Sequence, residues 1–148
     1  MSLFSSLAVS GSGMTAQRQR AQLLVENMAN VETTRTPDGG PYRRKDAVFE
    51  SQPIGSDFSS ILNEEMGSVD GAATGVRVSQ VVVDERDPEK RYAPGHPDAD
   101  KDGYVSFPRV NPAEDMADLV DTGRNYQANV SAIAAVKDMI QQSISILS

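Results

Sequence analysis

Asp98-Ala99-Asp100-Lys101-Asp102-Gly103 places three carboxylates at alternate positions ahead of a glycine, which is how a calcium-binding loop opens. Such a loop ends on a bidentate Glu. Here that position is Arg109, Pro108 stands before it, and neither flank reads as a helix. A calcium- or ligand-binding module is therefore the alternative reading of this run, and a turn leading into Gly103-Tyr104-Val105 explains the same residues. His96, the single histidine, lies in Pro94-Gly95-His96-Pro97 with no acid or nucleophile beside it to make it a general base. The absence of cysteine removes disulfides, thiolate metal sites and cysteine nucleophiles. No phosphate-cradling glycine loop, nucleophile elbow or pair of metal-binding histidines is present. These residues predict no enzyme and no cofactor. Arg43-Arg44-Lys45 is a short basic run of the kind that lines a solvated strand edge, and a net charge of −7 opposes nucleic-acid binding.

The elements that frame these residues are clearest at the two ends of the 148-residue chain. Asn111-Pro112-Ala113-Glu114 combines a capping side chain, a proline suited to the first helical position and a capping-box acid. Asp115 and Asp118 add negative charge near the positive end of the helix dipole. Beyond them, 4-3 spacing runs through Leu119, Gly123, Tyr126, Val130, Ile133, Lys137, Ile140, Ile144 and Leu147, the pattern of a coiled-coil seam. A helix from Pro112 to Leu147 would span roughly 50 Å, more than a small domain needs for its own core. Met116, Val120, Ala134, Val136 and Met139 widen its apolar surface and call for further partner helices.

The N-terminal segment repeats the spacing through Leu3, Leu7, Ser10, Met14, Gln17, Ala21, Leu24, Met28 and Val31. Gly11 and Gly13 weaken that helix by about 1 kcal/mol each relative to Ala and could bend it, while letting another helix approach closely. Pro37 and the turn Asp38-Gly39-Gly40-Pro41 end it. Between the ends, Tyr42–Phe49, Val76–Asp84 and Gly103–Phe107 read as strands, with 51–75 as a mobile loop. The expectation is an α+β chain in three parts: an N-terminal helical segment over 1–36, a β-rich module over 37–110 and a C-terminal helix over 111–148, with the two helices forming an antiparallel coiled coil. No apolar run approaches the length of a membrane span, and the N-terminus lacks the basic and apolar regions of a cleavable signal peptide.

Asn27-Met28-Ala29-Asn30-Val31-Glu32-Thr33 resembles the Asn-x-Ala-Asn-x-x-Thr signature that closes the first helix of bacterial flagellar axial proteins, those of rod and hook. Thr36-Pro37-Asp38-Gly39-Gly40-Pro41-Tyr42-Arg43-Arg44, Pro94 to Asp100, Gly103-Tyr104-Val105, Arg109-Val110-Asn111 and Tyr126-Gln127-Ala128-Asn129 are similar to the basal-body rod branch of that family. The resemblance implies a structural subunit of the proximal rod, the hollow periplasmic drive shaft for motility. It also implies type III export without a cleaved signal. The implied partners are other rod proteins and the inner-membrane ring and export-gate region, in a homo- and hetero-oligomeric helical assembly. Asn27, Asn30 and Thr33 are then expected to bond the end of the first helix to the β module, with Ala29 completing the motif.

Overall fold

The computed structural model describes residues 3–37, 39–54 and 73–147, the Leu147 side chain excepted. Helix α1 runs over Leu3–Ala29, strand β1 over Lys45–Pro53, β2 over Thr74–Val83, β3 over Glu89–Tyr92, β4 over Tyr104–Phe107 and helix α2 over Pro112–Leu147. The chain is α+β, as its patterning indicates.

Helix α2 starts where its residues dictate. The Asn111 side-chain oxygen accepts from the Ala113 N–H at 3.2 Å, satisfying one orphan group of the first turn, and its carbonyl accepts the first intrahelical bond, from Asp115 N–H at 3.0 Å. Helix α1 is continuous through Gly11 and Gly13. Gly13 is the position that a close approach requires: a Cβ there would stand 3.1 Å from the Asn129 side chain of α2. Arg20 reaches Asp118 at 3.1 Å. Because residue 13 meets 129 and residue 20 meets 118, the two helices lie antiparallel along one another.

Strands β1 and β2 form one antiparallel ribbon, and β3 and β4 form a second. In the first, Phe49 pairs with Val78 but Val48 pairs with Gln80, so Ser79 is an extra residue in β2. This bulge shifts the alternation by one, placing Val78 and Val81 on the same side, each opposite Phe49 or Ala47. That side faces α1: Leu23 and Leu24 lie against Ala47 and Phe49 across one groove, and Leu23 lies near Val78 and Val81 across another.

Three sequence expectations move. The first strand begins at Lys45 rather than Tyr42, because Tyr42 is drawn into the end of α1, and it extends to Pro53 through pairing with β2. Strand β3 was not expected: Glu-Lys-Arg-Tyr has no alternation of apolar and polar residues and is held by its partner β4, with Tyr92 edge-on to Tyr104 at 5.4 Å between ring centroids. Gly103 turns the chain between them at φ +82°, where a Cβ would come within 2.9 Å of the Tyr92 ring. The loop expected over 51–75 is replaced at its ends by ribbon residues, and its interior, 55–72, lies outside the described residues.

Few apolar side chains are deeply buried. Among the described residues these are Ala16, Leu24, Tyr42, Ala73, Val105, Pro108, Val110 and Val136, and they are scattered along the chain. Fully or nearly fully buried polar residues, Asn27, Asp115 and Thr122, take positions that a compact domain would fill with apolar ones.

Candidate functional site

Near the C-terminal end of α1, Asn27 is completely buried and binds a strand with both halves of its amide. Its Nδ2 donates to the Lys45 carbonyl at 2.9 Å, while its Oδ1 accepts from the Lys45 N–H at 2.9 Å and from the Tyr42 hydroxyl at 2.9 Å. One side chain thus satisfies the backbone of the first residue of β1 as a neighbouring strand would. Just beyond, Asn30 Nδ2 donates to the Glu26 carbonyl, Thr33 Oγ1 donates to Asn30 Oδ1, and Tyr42 N–H donates to the Thr33 carbonyl. Ala29 lies on the exposed side. The motif therefore brings Asn27, Asn30 and Thr33 together at the place where helix becomes ribbon.

Burial, reinforced by Glu26, pushes the Tyr42 hydroxyl up to about 12 from its usual 10.0. Since the folded-state value is the higher, this contribution to stability is complete below pH 10 and is lost as pH rises through 12. Ultraviolet titration is expected to show a tyrosine ionisation step near pH 12 that accompanies loss of the junction, and that step should vanish in Tyr42→Phe.

Asp115, in the first turn of α2, is also fully buried, and Arg44 Nη2 lies 2.9 Å from it and 3.4 Å from Asp46. Burial drives the Asp115 carboxyl above the usual carboxylate range against the pull of Arg44, and Asp46, Glu114 and Asp118 push the same way as burial. The sequence marked Asp115 only as a charge favourable to the helix dipole. Its burial, and the use of Arg44 to tie α2 to the start of β1, carry no signature in spacing.

The residues expected to form an assembly seam occupy varied positions. Leu24 is buried; Leu7, Met14, Met28, Val31, Leu119, Val130, Ile133 and Ile140 are half-buried; Leu3, Tyr126 and Ile144 are exposed; the Leu147 side chain lies outside the described residues. The row of α2 turned most fully inward is Asp115, Thr122 and Val136, with Asn129 against Gly13. Facing outward are Met116, Val120, Met139, Ile144 and Ile146, exposed by 55%, 51%, 47%, 62% and 83%.

The Asp98 to Gly103 run is a turn. Asp100 accepts from the N–H groups of Asp102 and Tyr104, and Asp98 accepts from Thr34 Oγ1 at 2.7 Å. Asp98 also receives nearby positive charge from Arg35 at 4.0 Å. Among the described residues no three carboxylate, imidazole or thiol groups converge as a metal cage, and nothing supports the calcium reading. No helix of the described residues is long and apolar enough to cross a membrane.

Residues 101–146 match the family profile described as the flagellar basal body rod FlgEFG protein C-terminal region. Across nearly its whole length the chain is similar to flagellar basal-body rod protein FlgC of several bacteria. It is 43% identical to that of Bacillus subtilis, with 99% of each chain covered. It is 39% identical to that of Borreliella burgdorferi, again with 99% of each covered, and 34% identical to that of Escherichia coli O6:H1, covering 99% of this chain and 98% of the relative.

Proposed function

The chain belongs to the flagellar basal-body rod protein FlgC family and is a structural subunit of the bacterial flagellar rod, and from that premise we propose that it builds the proximal rod through its terminal helices. In this reading α1 and α2 form an antiparallel coiled coil in the wall of a hollow shaft, and the exposed apolar side chains of α2 pack against helices of neighbouring rod proteins. The shaft stands in the periplasm beside the inner-membrane ring and export gate. The subunit reaches it by type III export without a cleaved signal and performs no catalysis.

The observation that carries this reading is the exposure of five large apolar side chains along α2, Met116, Val120, Met139, Ile144 and Ile146. A helix turning that much apolar surface to water is marginal alone and is stabilised by whatever covers it. Leu3, Leu7, Met14, Leu24, Met28 and Val31 on the N-terminal side, with Leu119, Tyr126, Val130, Ile133, Ile140, Ile144 and Leu147 on α2, form the proposed seam.

Ile144→Asp tests it, because Ile144 is exposed and its replacement leaves the packing within the subunit intact. Incorporation into basal bodies is expected to fall at least tenfold, equivalent to about 1.4 kcal/mol, with loss of swimming. Wild-type motility in that variant would overturn the reading. Ile133→Asp and Ile140→Asp should block incorporation as well, and being half-buried they should also loosen the helix pair.

A further inference from the structure

The two helices are unequal, 27 residues against 36. With the pair antiparallel, Gly13 beside Asn129 puts Leu3 level with about residue 139 and Arg20 beside Asp118 puts it level with about 135, so at least Ile140–Leu147 runs past the end of α1, by about 12 Å at 1.5 Å per residue. No charged residue follows Asp138 in a chain that is 24% charged. The overhang Ile140–Leu147 therefore has no charged side chain, and its Ile144 and Ile146 are exposed.

A matching recess exists elsewhere on the same subunit. Between α1 and β2 lies a groove of about 480 Å³ walled by Gln19, Gln22, Leu23, Val78, Ser79 and Val81. Its one charged residue, Glu26, is neutralised by Lys45. The Ser79 bulge is what keeps Val81 beside Val78 in this wall. Tail and groove correspond in chemistry: each offers aliphatic surface flanked by Gln and Ser amides and hydroxyls, and neither brings an unpaired charged side chain for the other to strand on burial.

We propose that the α2 overhang of one subunit seats in the α1–β2 groove of a second copy of the same chain. The inference rests on the rod-subunit reading and names its nearest neighbour. Tail and groove are separate surfaces, so the contact is head-to-tail and propagates instead of closing on itself, as a filament requires. Within one subunit the level of Arg20 and Asp118 lies roughly 40 Å along the axis from Ile144, so no chain can fill its own groove.

The cysteine-free chain allows a direct test. Ser143→Cys on the tail and Ser79→Cys in the groove are combined in one chain, expressed in place of the ordinary protein, and oxidised in purified basal bodies. A ladder of dimers, trimers and longer species of this chain is expected, with no ladder from either single variant. Gln22→Cys replaces Ser79→Cys in a parallel strain, so that a ribbon disturbed at its bulge does not decide the result. Motile cells whose basal bodies contain the double variants but give no ladder would overturn the proposal and leave the rod function standing. So would crosslinks from position 143 to itself or to a different protein. Failure of the single variants to enter the rod, where Ile144→Asp enters normally, would instead count against both readings.

Discussion

Asn27→Ala is expected to lower the stability of the isolated subunit by about 3 kcal/mol, measured as the midpoint of urea unfolding. The truncation strips partners from three groups at once: the Lys45 N–H, the Lys45 carbonyl and the Tyr42 hydroxyl. Each buried polar group left without a partner costs about 1–3 kcal/mol, and relaxation of the ribbon returns part of the sum. Asn27→Asp should do nearly as much damage. An acid keeps the two acceptor bonds, but it loses the donor to the Lys45 carbonyl and sets a charge in a fully buried site. Asn27→Gln adds a methylene to a fully buried site and is expected to fall between the two. Limited proteolysis between residues 30 and 44 should rise in the order of these losses.

Arg44→Ala should be the larger perturbation, at about 3–5 kcal/mol, because it leaves the buried Asp115 carboxylate without its only close positive partner among the described residues. Domains of this size are stable by about 5–15 kcal/mol, so the variant would sit near the threshold for keeping α2 docked. The pH dependence separates this account from a simple loss of packing. Asp115 already binds its proton more tightly in the folded state than in the unfolded one, and removing Arg44 tightens it further. Stability from that proton is present at low pH and is lost as pH rises through the folded value, so the deficit of Arg44→Ala should shrink toward pH values around 4. Replacing both residues, Arg44→Met with Asp115→Leu, should restore most of the loss, since an apolar pair of similar volume has no charge to desolvate. A deficit independent of pH would show that Arg44 acts by its bulk alone.

The helices were legible because their signals are local. Asn111-Pro112 fixes the start of α2, and apolar residues at 4-3 spacing fix its extent. The side of α2 that meets α1 was less legible, for a physical reason. Spacing counts apolar residues, whereas the positions turned furthest inward include Asp115 and Thr122, and Asn129 is the side chain that meets Gly13. Asp115 is inward because Arg44 meets it from a different element, and Asn129 because Gly13 leaves room for it. Neither fact is written within α2 itself. Likewise Tyr42 has the composition of a strand residue, but its hydroxyl finds Asn27, which holds it at the helix end and delays the strand to Lys45. Strand β3 owes its conformation to β4, and its four residues alone favour no ladder. The motif around Asn27 pointed to the right place, while the two-sided grip on Lys45 emerges only in three dimensions.

The two kinds of tie in this subunit close chain segments of very different length. Asn27 meets Lys45 across 18 positions, whereas Arg20 meets Asp118 across 98. Closing the longer segment demands about 1.5 kcal/mol more entropy. The junction at Asn27 is therefore the less costly of the two to close, and pairing of α1 with α2 bears the larger entropic cost.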